Sequence, residues 1–561
     1  MLFILFGLTM VTCAGLTLFA GSIVTTKHNL STSGAGGIRA VDTSEICIFC
    51  HTTHSGRSYA PLWNRDDSPV VYTLYDSSTL HSTPGQPDGA SKLCLSCHDG
   101  TIALGNVISR TDDFDMTGTL DGKIPGSARS NLGIDISDDH PVSFDATSAV
   151  GASSELTHPP LGDSVRYDAG GKIQCTSCHN PHDGMYGCFL VKNNQGASIC
   201  KTCHEPTGFA GTSTHDVVPS TWDGTGEDPW PNTPYSTVND NSCMNCHWSH
   251  NAGGNERLLR SNVEETVCLV CHNGSVGADI ENVLAKTSSH RVSFYQGIHD
   301  PVENIESAAK HVECADCHNP HRLNGTNANA PNVNGRLAGV SGMTVTGSMR
   351  TTAQYEYEVC LKCHGQDRYR VTTSISRMMD TDNIRIAINP SNASFHALAA
   401  QGTSNYVPSL IPPYTTSSRL YCTDCHNSNS SVNAGGTGAN GPHGSSNEYL
   451  LERYYATADY TSWSEANYAL CFKCHNPNII LNNSVSPFAR HASHIVTIQA
   501  PCSVCHDPHG SPNHVGLLNF DTNVVFPNRN GELKFEIIGD RGYCYMECHG
   551  SSHNPKSYRR R

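Results

Sequence analysis

The chain has 561 residues, only 16% of them charged, and 36 Lys and Arg against 51 Asp and Glu give a formal charge of −15. A polyanion of this kind excludes nucleic acid and anionic lipid surfaces as partners. Length alone suggests three or four domains of about 150 residues, but 26 Cys and 31 His point away from an ordinary globular composition.

From the amino terminus, Met1 to Val24 carries no charge, includes the apolar run MLFILFGLTMV, and gives way to polar sequence at Thr25. This pattern predicts a signal peptide over residues 1–24, with Ala20-Gly21 as the candidate cleavage point and a retained anchor as the alternative. Cys13 in VTCAG reads as an apolar residue of that leader.

Beyond it, one pattern governs the chain. CIFCH supplies Cys47, Cys50 and His51; CLSCH, Cys94, Cys97 and His98; CTSCH, Cys175, Cys178 and His179; CKTCH, Cys200, Cys203 and His204. CMNCH supplies Cys243, Cys246 and His247; CLVCH, Cys268, Cys271 and His272; CADCH, Cys314, Cys317 and His318; CLKCH, Cys360, Cys363 and His364. CTDCH supplies Cys422, Cys425 and His426; CFKCH, Cys471, Cys474 and His475; CSVCH, Cys502, Cys505 and His506. The twelfth site, CYMECH, has one extra residue and supplies Cys544, Cys548 and His549.

A Cys-x-x-Cys followed at once by His is a c-type haem attachment site. Two thiols add to the two vinyl groups of a porphyrin edge, and the tether leaves the next side chain under the iron. Zinc sites, redox dithiols and disulfides do not require that adjacent histidine. Twelve such sites predict twelve haem c per chain, with the twelve motif histidines as proximal ligands. Of 26 Cys, 24 are used, leaving Cys13 and Cys188. Thioether attachment takes place outside the cytoplasm, so an exported protein is expected.

Twelve haems over 561 residues leave about 47 residues per cofactor. Each haem is a large apolar disc, so cofactor burial replaces much side-chain burial. With 49 Gly and 29 Pro, and aperiodic stretches such as NSNSSVNAGGTGANGPHGSS at 427–446, the expected fold is mostly irregular, with short α-helices carrying the motifs and little β.

Nineteen histidines remain for the second axial position. His54, His182, His250, His321 and His509 each stand three places after a motif histidine. A residue at that offset lies on the same side of a helical turn as the proximal ligand, so it must serve a neighbouring iron. These extended motifs fall at the first, third, fifth, seventh and eleventh sites, and the chain reads as six doublets. At the ninth site the substitute is His443. Upstream candidates are His28, His140, His215, His290, His396 and His494, with His158, His299 and His311 competing with His140 and His290, and His491 competing with His494. His81, His514 and His553 have no assigned role, although His553 is a candidate for the last haem. The doublets predict boundaries at 25–135, 136–212, 213–285, 286–375, 376–485 and 486–561. His140 and His290 share His-x-Val-Ser-Phe, which suggests that haems 1–4 and 5–8 descend from one duplicated unit.

The alternation of CxxCHxxH with CxxCH, together with TKHNLS, APLWNR, GASKLCLSCHDGTIALG and DHPVSF, resembles the doubled-CxxCH multihaem cytochromes of metal- and sulfate-reducing bacteria. The resemblance implies low-potential, bis-histidine haems stacked in a chain, serving periplasmic or extracellular respiratory electron transfer, with outer-surface and filament-forming relatives.

Irons with two protein ligands bind no substrate, so the expected role is electron transfer without a catalytic residue. A reductase of nitrite, hydroxylamine or a sulfur oxyanion is the alternative, and it requires an open haem, with the ninth or twelfth site as candidate. A filament of this chain is a third reading. Expected partners are other cytochromes or redox proteins, and extracellular metal or mineral acceptors, at the cell exterior or outer-membrane surface, with the periplasm as the alternative.

Overall fold

A computed structural model describes residues 22–559 apart from 59, 61, 306, 371 and 372. Nearly all of the predicted leader, with Cys13, lies outside the described residues. Among those described, no helix is long and apolar enough to cross a membrane.

The chain is mostly turns and irregular loops. Three helices, α1 (Gly89–His98), α2 (Glu264–Leu269) and α3 (Glu356–His364), each run into an even-numbered motif. Odd-numbered motifs form single turns, as at Cys175–Cys178, Cys314–Cys317 and Cys502–Cys505. One turn suffices for what the motif must do. It puts cysteines three apart on one side, and the histidine N–H then bonds back to the first cysteine carbonyl, at 2.8 Å from His51 to Cys47 and 2.9 Å from His506 to Cys502.

The described residues form two units: 22–205 with 247–260, and 206–246 with 261–559. The first holds motifs one to four; the second holds motifs six to twelve, and the fifth is divided between Cys246 and His247. Apolar packing is split into small clusters built onto the motifs. Phe49 packs with Ala40, Val107 and Phe114; Leu361 packs with Met343, Tyr357, Ile388 and Leu398; Tyr468 packs with Ala456 and Ile495. None is the single large core that a chain of this length normally builds.

Among the described residues, sheet is confined to short ladders and one carboxy-terminal element. There, β1 (Val525–Phe526), β2 (Lys534–Ile538), β3 (Arg541–Cys548) and β4 (Ser551–Arg559) form an antiparallel sheet in which β3 pairs with the other three. The twelfth motif therefore lies on a strand rather than a helical turn, and Cys544 and Cys548 pack on the same apolar cluster as Cys505.

Two minimal ladders fix the histidines that follow. Ser288–Ser289 pairs with Gly444–Ser445, and Ser394–Phe395 pairs with Gly510–Ser511. Both glycines are required by close approach: a Cβ at Gly444 would lie 1.9 Å from the Val283 carbonyl oxygen, and one at Gly510 would lie 2.0 Å from that of Ala387.

Candidate metal centres

No motif cysteine is in a disulfide, and the motif cysteines meet one another in chain order. Within the first unit, burial pushes Cys50 up to about 12 with Cys97 adding to the effect, and burial pushes Cys178 up to about 11 with Cys203 adding. Between them, a hydrogen bond to Cys175 holds Cys94 well above the usual thiol range. The second unit continues the pattern. Cys268 bonds with Cys314, Cys360 with Cys422, and Cys471 with Cys502, each hydrogen bond raising the first thiol. Second cysteines meet within doublets: burial pushes Cys425 and Cys505 up to about 12, with Cys474 and Cys548 contributing respectively. First cysteines thus meet between doublets and second cysteines within them.

The histidines form facing pairs. In the first unit, ring centroids are 6.0 Å apart for His51 and His182, 6.1 Å for His28 and His98, 6.1 Å for His179 and His250, and 6.2 Å for His140 and His204. In the second they are 6.3 Å for His215 and His272, 6.0 Å for His318 and His443, and 6.3 Å for His290 and His364. His426 and His509 are 6.1 Å apart, and His491 and His506 6.3 Å. Two metal–nitrogen bonds of about 2 Å, with an imidazole radius at each end, total about 6 Å. The donor set therefore fits an iron between each pair, with a thiol pair beside it.

A rule connects these pairs. An even-site histidine faces the upstream histidine of its own doublet, as His98 faces His28. At the first, third, seventh and ninth sites, the motif histidine faces the one that follows the next odd motif, as His51 faces His182, whereas His506 of the eleventh site faces the upstream His491. The ninth site obeys this rule despite its insertion. Ser428 N–H bonds to the Gly441 carbonyl at 3.1 Å and Gly441 N–H to Asn427 Oδ1 at 2.7 Å. The intervening loop is pinched off at its base, and His443 stands where an uninterrupted motif would put it.

Carbonyl oxygens fix the ring orientations. Proximal Nδ1–H groups donate to Cys188 O at 2.9 Å from His179, to Arg257 O at 2.8 Å from His247, and to Arg336 O at 2.9 Å from His318. His426 donates to Tyr449 O and His506 to Gly516 O. Upstream rings use prolines: His28 donates to Pro181 O at 3.1 Å, His215 to Pro320 O at 3.3 Å, His290 to Pro442 O at 2.8 Å and His396 to Pro508 O at 2.5 Å. Such a bond fixes the tautomer with the proton on Nδ1 and leaves the Nε2 lone pair for a metal. Sequence reasoning missed these acceptors. Their only signal is an apolar pair one or two residues on, Phe189-Leu190, Leu258-Leu259, Leu450-Leu451 and Leu517-Leu518, whose first member takes positive φ to turn the loop back.

Burial keeps the rings neutral. It lowers His179, His204, His272, His364, His426 and His475 to about 4, and His443 and His491 to about 3, and the facing imidazole lowers each further where a pair is formed.

Other expected ligands stand differently. His54 is exposed and faces no ring among the described residues. His321 lies edge-on to Phe209, centroids 5.6 Å apart. His396 is close enough to His475 to depress it. Of the two competitors near the eleventh site, His491 rather than His494 faces His506. His549 Nε2 bonds to Asp459 Oδ1 and Oδ2 at 2.9 and 3.0 Å, and burial lowers His494, with the nearby His549 lowering it further against the hydrogen bond to Arg490 O.

Residues 169–209 and 413–479 match the family described as the doubled CXXCH motif. A 208-residue stretch is 24% identical to a multiheme cytochrome MtrA from Shewanella baltica (strain OS185), covering 35% of this chain and 43% of that protein. The chain thus spans less than half the length of this relative. The motif series and the paired cysteines, together with these two matches, make the chain similar to the doubled-CXXCH multihaem cytochromes over the stretches matched.

Proposed function

We propose that this chain is an electron conduit carrying haem c at all twelve motifs, with each iron between two imidazoles. The observation that carries this reading is the set of nine imidazole pairs at 6.0–6.3 Å. Haem c supplies one-electron redox chemistry when bound. The chain's residues close both axial positions, keep the ligands neutral, and hold consecutive thiol pairs in contact, which supports a haem order in space that follows the sequence within each unit. His396 with His475 and His494 with His549 extend the ligand set within the second unit. Imidazole at both positions in place of methionine favours low potentials.

The expected setting is anaerobic respiration: export from the cytoplasm, electrons received from another cytochrome or redox protein, and delivery to metal or mineral acceptors at the cell exterior. Electron paramagnetic resonance of the oxidised protein tests the ligation, with low-spin signals alone expected. A full-occupancy high-spin haem overturns it and moves attention to the twelfth site, where Asp459 beside His549 would supply an acid/base group for a reductase.

A second reading, a polymer of this chain, is favoured by His54. Every other histidine of its class has a preceding doublet or a neighbouring site to serve, whereas His54 precedes all of them and is exposed. The His54→Ala variant with intact haem content should then no longer form filaments in electron micrographs of sheared surface material; discrete particles from wild type would exclude this reading.

A further inference from the structure

His299 and His311 compete on sequence for axial positions, yet the structure gives His364 the ring of His290. Both displaced histidines instead gather around a buried carboxylate. His299 Nδ1 lies 2.9 Å from Glu313 Oε2, and His311 Nε2 lies 3.7 Å from the same oxygen and 3.3 Å from Glu303 Oε2. Donor atoms of His299, Glu313 and Asp316 all fall within 4.8 Å of one another.

Four features of this cluster call for a cation. The Glu313 side chain is fully buried, and its Oε1 has no hydrogen-bond partner; a buried carboxylate oxygen left unpaired is costly. His311 Nδ1 donates to Ala309 O at 2.7 Å, which turns the Nε2 lone pair toward the Glu303 and Glu313 oxygens. Lone pairs facing one another at that range require a proton or a metal between them. The neighbouring Glu265 is buried as well, with neither carboxylate oxygen bonded. The nearby fixed cation, Lys362, bonds to the Asp316 carbonyl at 2.7 Å and only loosely to its carboxylate, at 3.4 Å.

We propose that His299, His311, Glu313 and Asp316 hold one divalent transition-metal ion of the zinc class beside the seventh motif. Two imidazoles with two carboxylates suit zinc and its neighbours, whereas calcium and magnesium prefer oxygen alone. The ion would tie the segment carrying both histidines to the turn that carries Asp316 between Cys314 and Cys317. This inference stands on side chains that serve no haem in the reading above and does not depend on that reading.

The test uses the full-length, haem-loaded protein, stripped with a chelator and dialysed against zinc, then against metal-free buffer. One zinc per chain beyond haem iron is expected by mass spectrometry. His299→Gln and His311→Gln should each weaken zinc binding about tenfold or more with haem content unchanged, while His81→Gln, at an exposed position, leaves it unaltered. No zinc in wild type, or full retention in both cluster variants, overturns the proposal. Should the variants lose haem and misfold, the zinc X-ray absorption edge of wild type decides: a nitrogen and oxygen shell with two imidazoles supports the site, and any other shell overturns it.

Discussion

The Pro442 carbonyl accepts a hydrogen bond from His290 Nδ1 at 2.8 Å, and the next residue, His443, faces His318 with centroids 6.0 Å apart. One dipeptide therefore orients a ring of one pair and supplies a ring of another. Pro181-His182 does the same for His28 and His51, and Pro508-His509 for His396 and His426. Peptide planarity makes the two placements rigidly dependent on each other.

His443→Ala should leave His318 without its facing imidazole while the pair of His290 and His364 stays intact. The expected outcome is one high-spin haem per chain by electron paramagnetic resonance. His290→Ala should give a second, distinguishable one.

Gly444→Ala and Gly510→Ala force a Cβ against carbonyl oxygens at 1.9 and 2.0 Å. Backbone cannot yield as a side chain would, so each should cost about 1–3 kcal/mol. Denaturant midpoints followed by haem absorbance measure this, and an unchanged midpoint would refute the steric account.

Lys473, in the tenth motif, reaches Asp424 O at 2.6 Å and Glu452 Oε1 at 3.0 Å, and the Glu452 side chain is fully buried. Lys473→Met leaves that carboxylate only the longer contact with the half-exposed Arg453, at 3.5 Å. A loss of about 3–5 kcal/mol is expected, and replacing Glu452 by Gln in the same chain should recover part of it.

Glu356, at the start of α3, is 2% exposed and accepts hydrogen bonds from Thr423, inside the ninth motif. Burial pushes its carboxyl from 4.5 up to about 7, against the pull of those bonds. The folded chain thus keeps a proton that the unfolded chain releases, so stability falls as pH rises from about 4.5 to about 7 and is level above that. The full effect is about 3 kcal/mol. Glu356→Gln should abolish this slope, read as the difference between variant and wild-type unfolding at pH 5 and pH 8.

His491→Ala should expose the haem of the eleventh motif, since His491 faces His506 at 6.3 Å. His494→Ala should leave that site low-spin and alter only the twelfth.

Covalent chemistry was legible in the residues themselves, because Cys-x-x-Cys-His is a local pattern that one helical turn converts directly into two thiols and a ring on one side. The mostly irregular fold was legible too, since the chain has neither the periodicity nor the charge to build long helices. What the residues left open was which distant ring meets which. His491 and His494 are three residues apart with near-equal local claims, and only packing against the eleventh motif selects between them. The role of His443 depended on a loop closed by Asn427, Ser428 and Gly441 across an insertion, and the prolines act through carbonyl oxygens that every residue possesses. The gathering of His299 and His311 around Glu313 is of the same kind. Such pairings are set by chain closure over tens to hundreds of residues, which no local pattern encodes, so only the tertiary structure decided them.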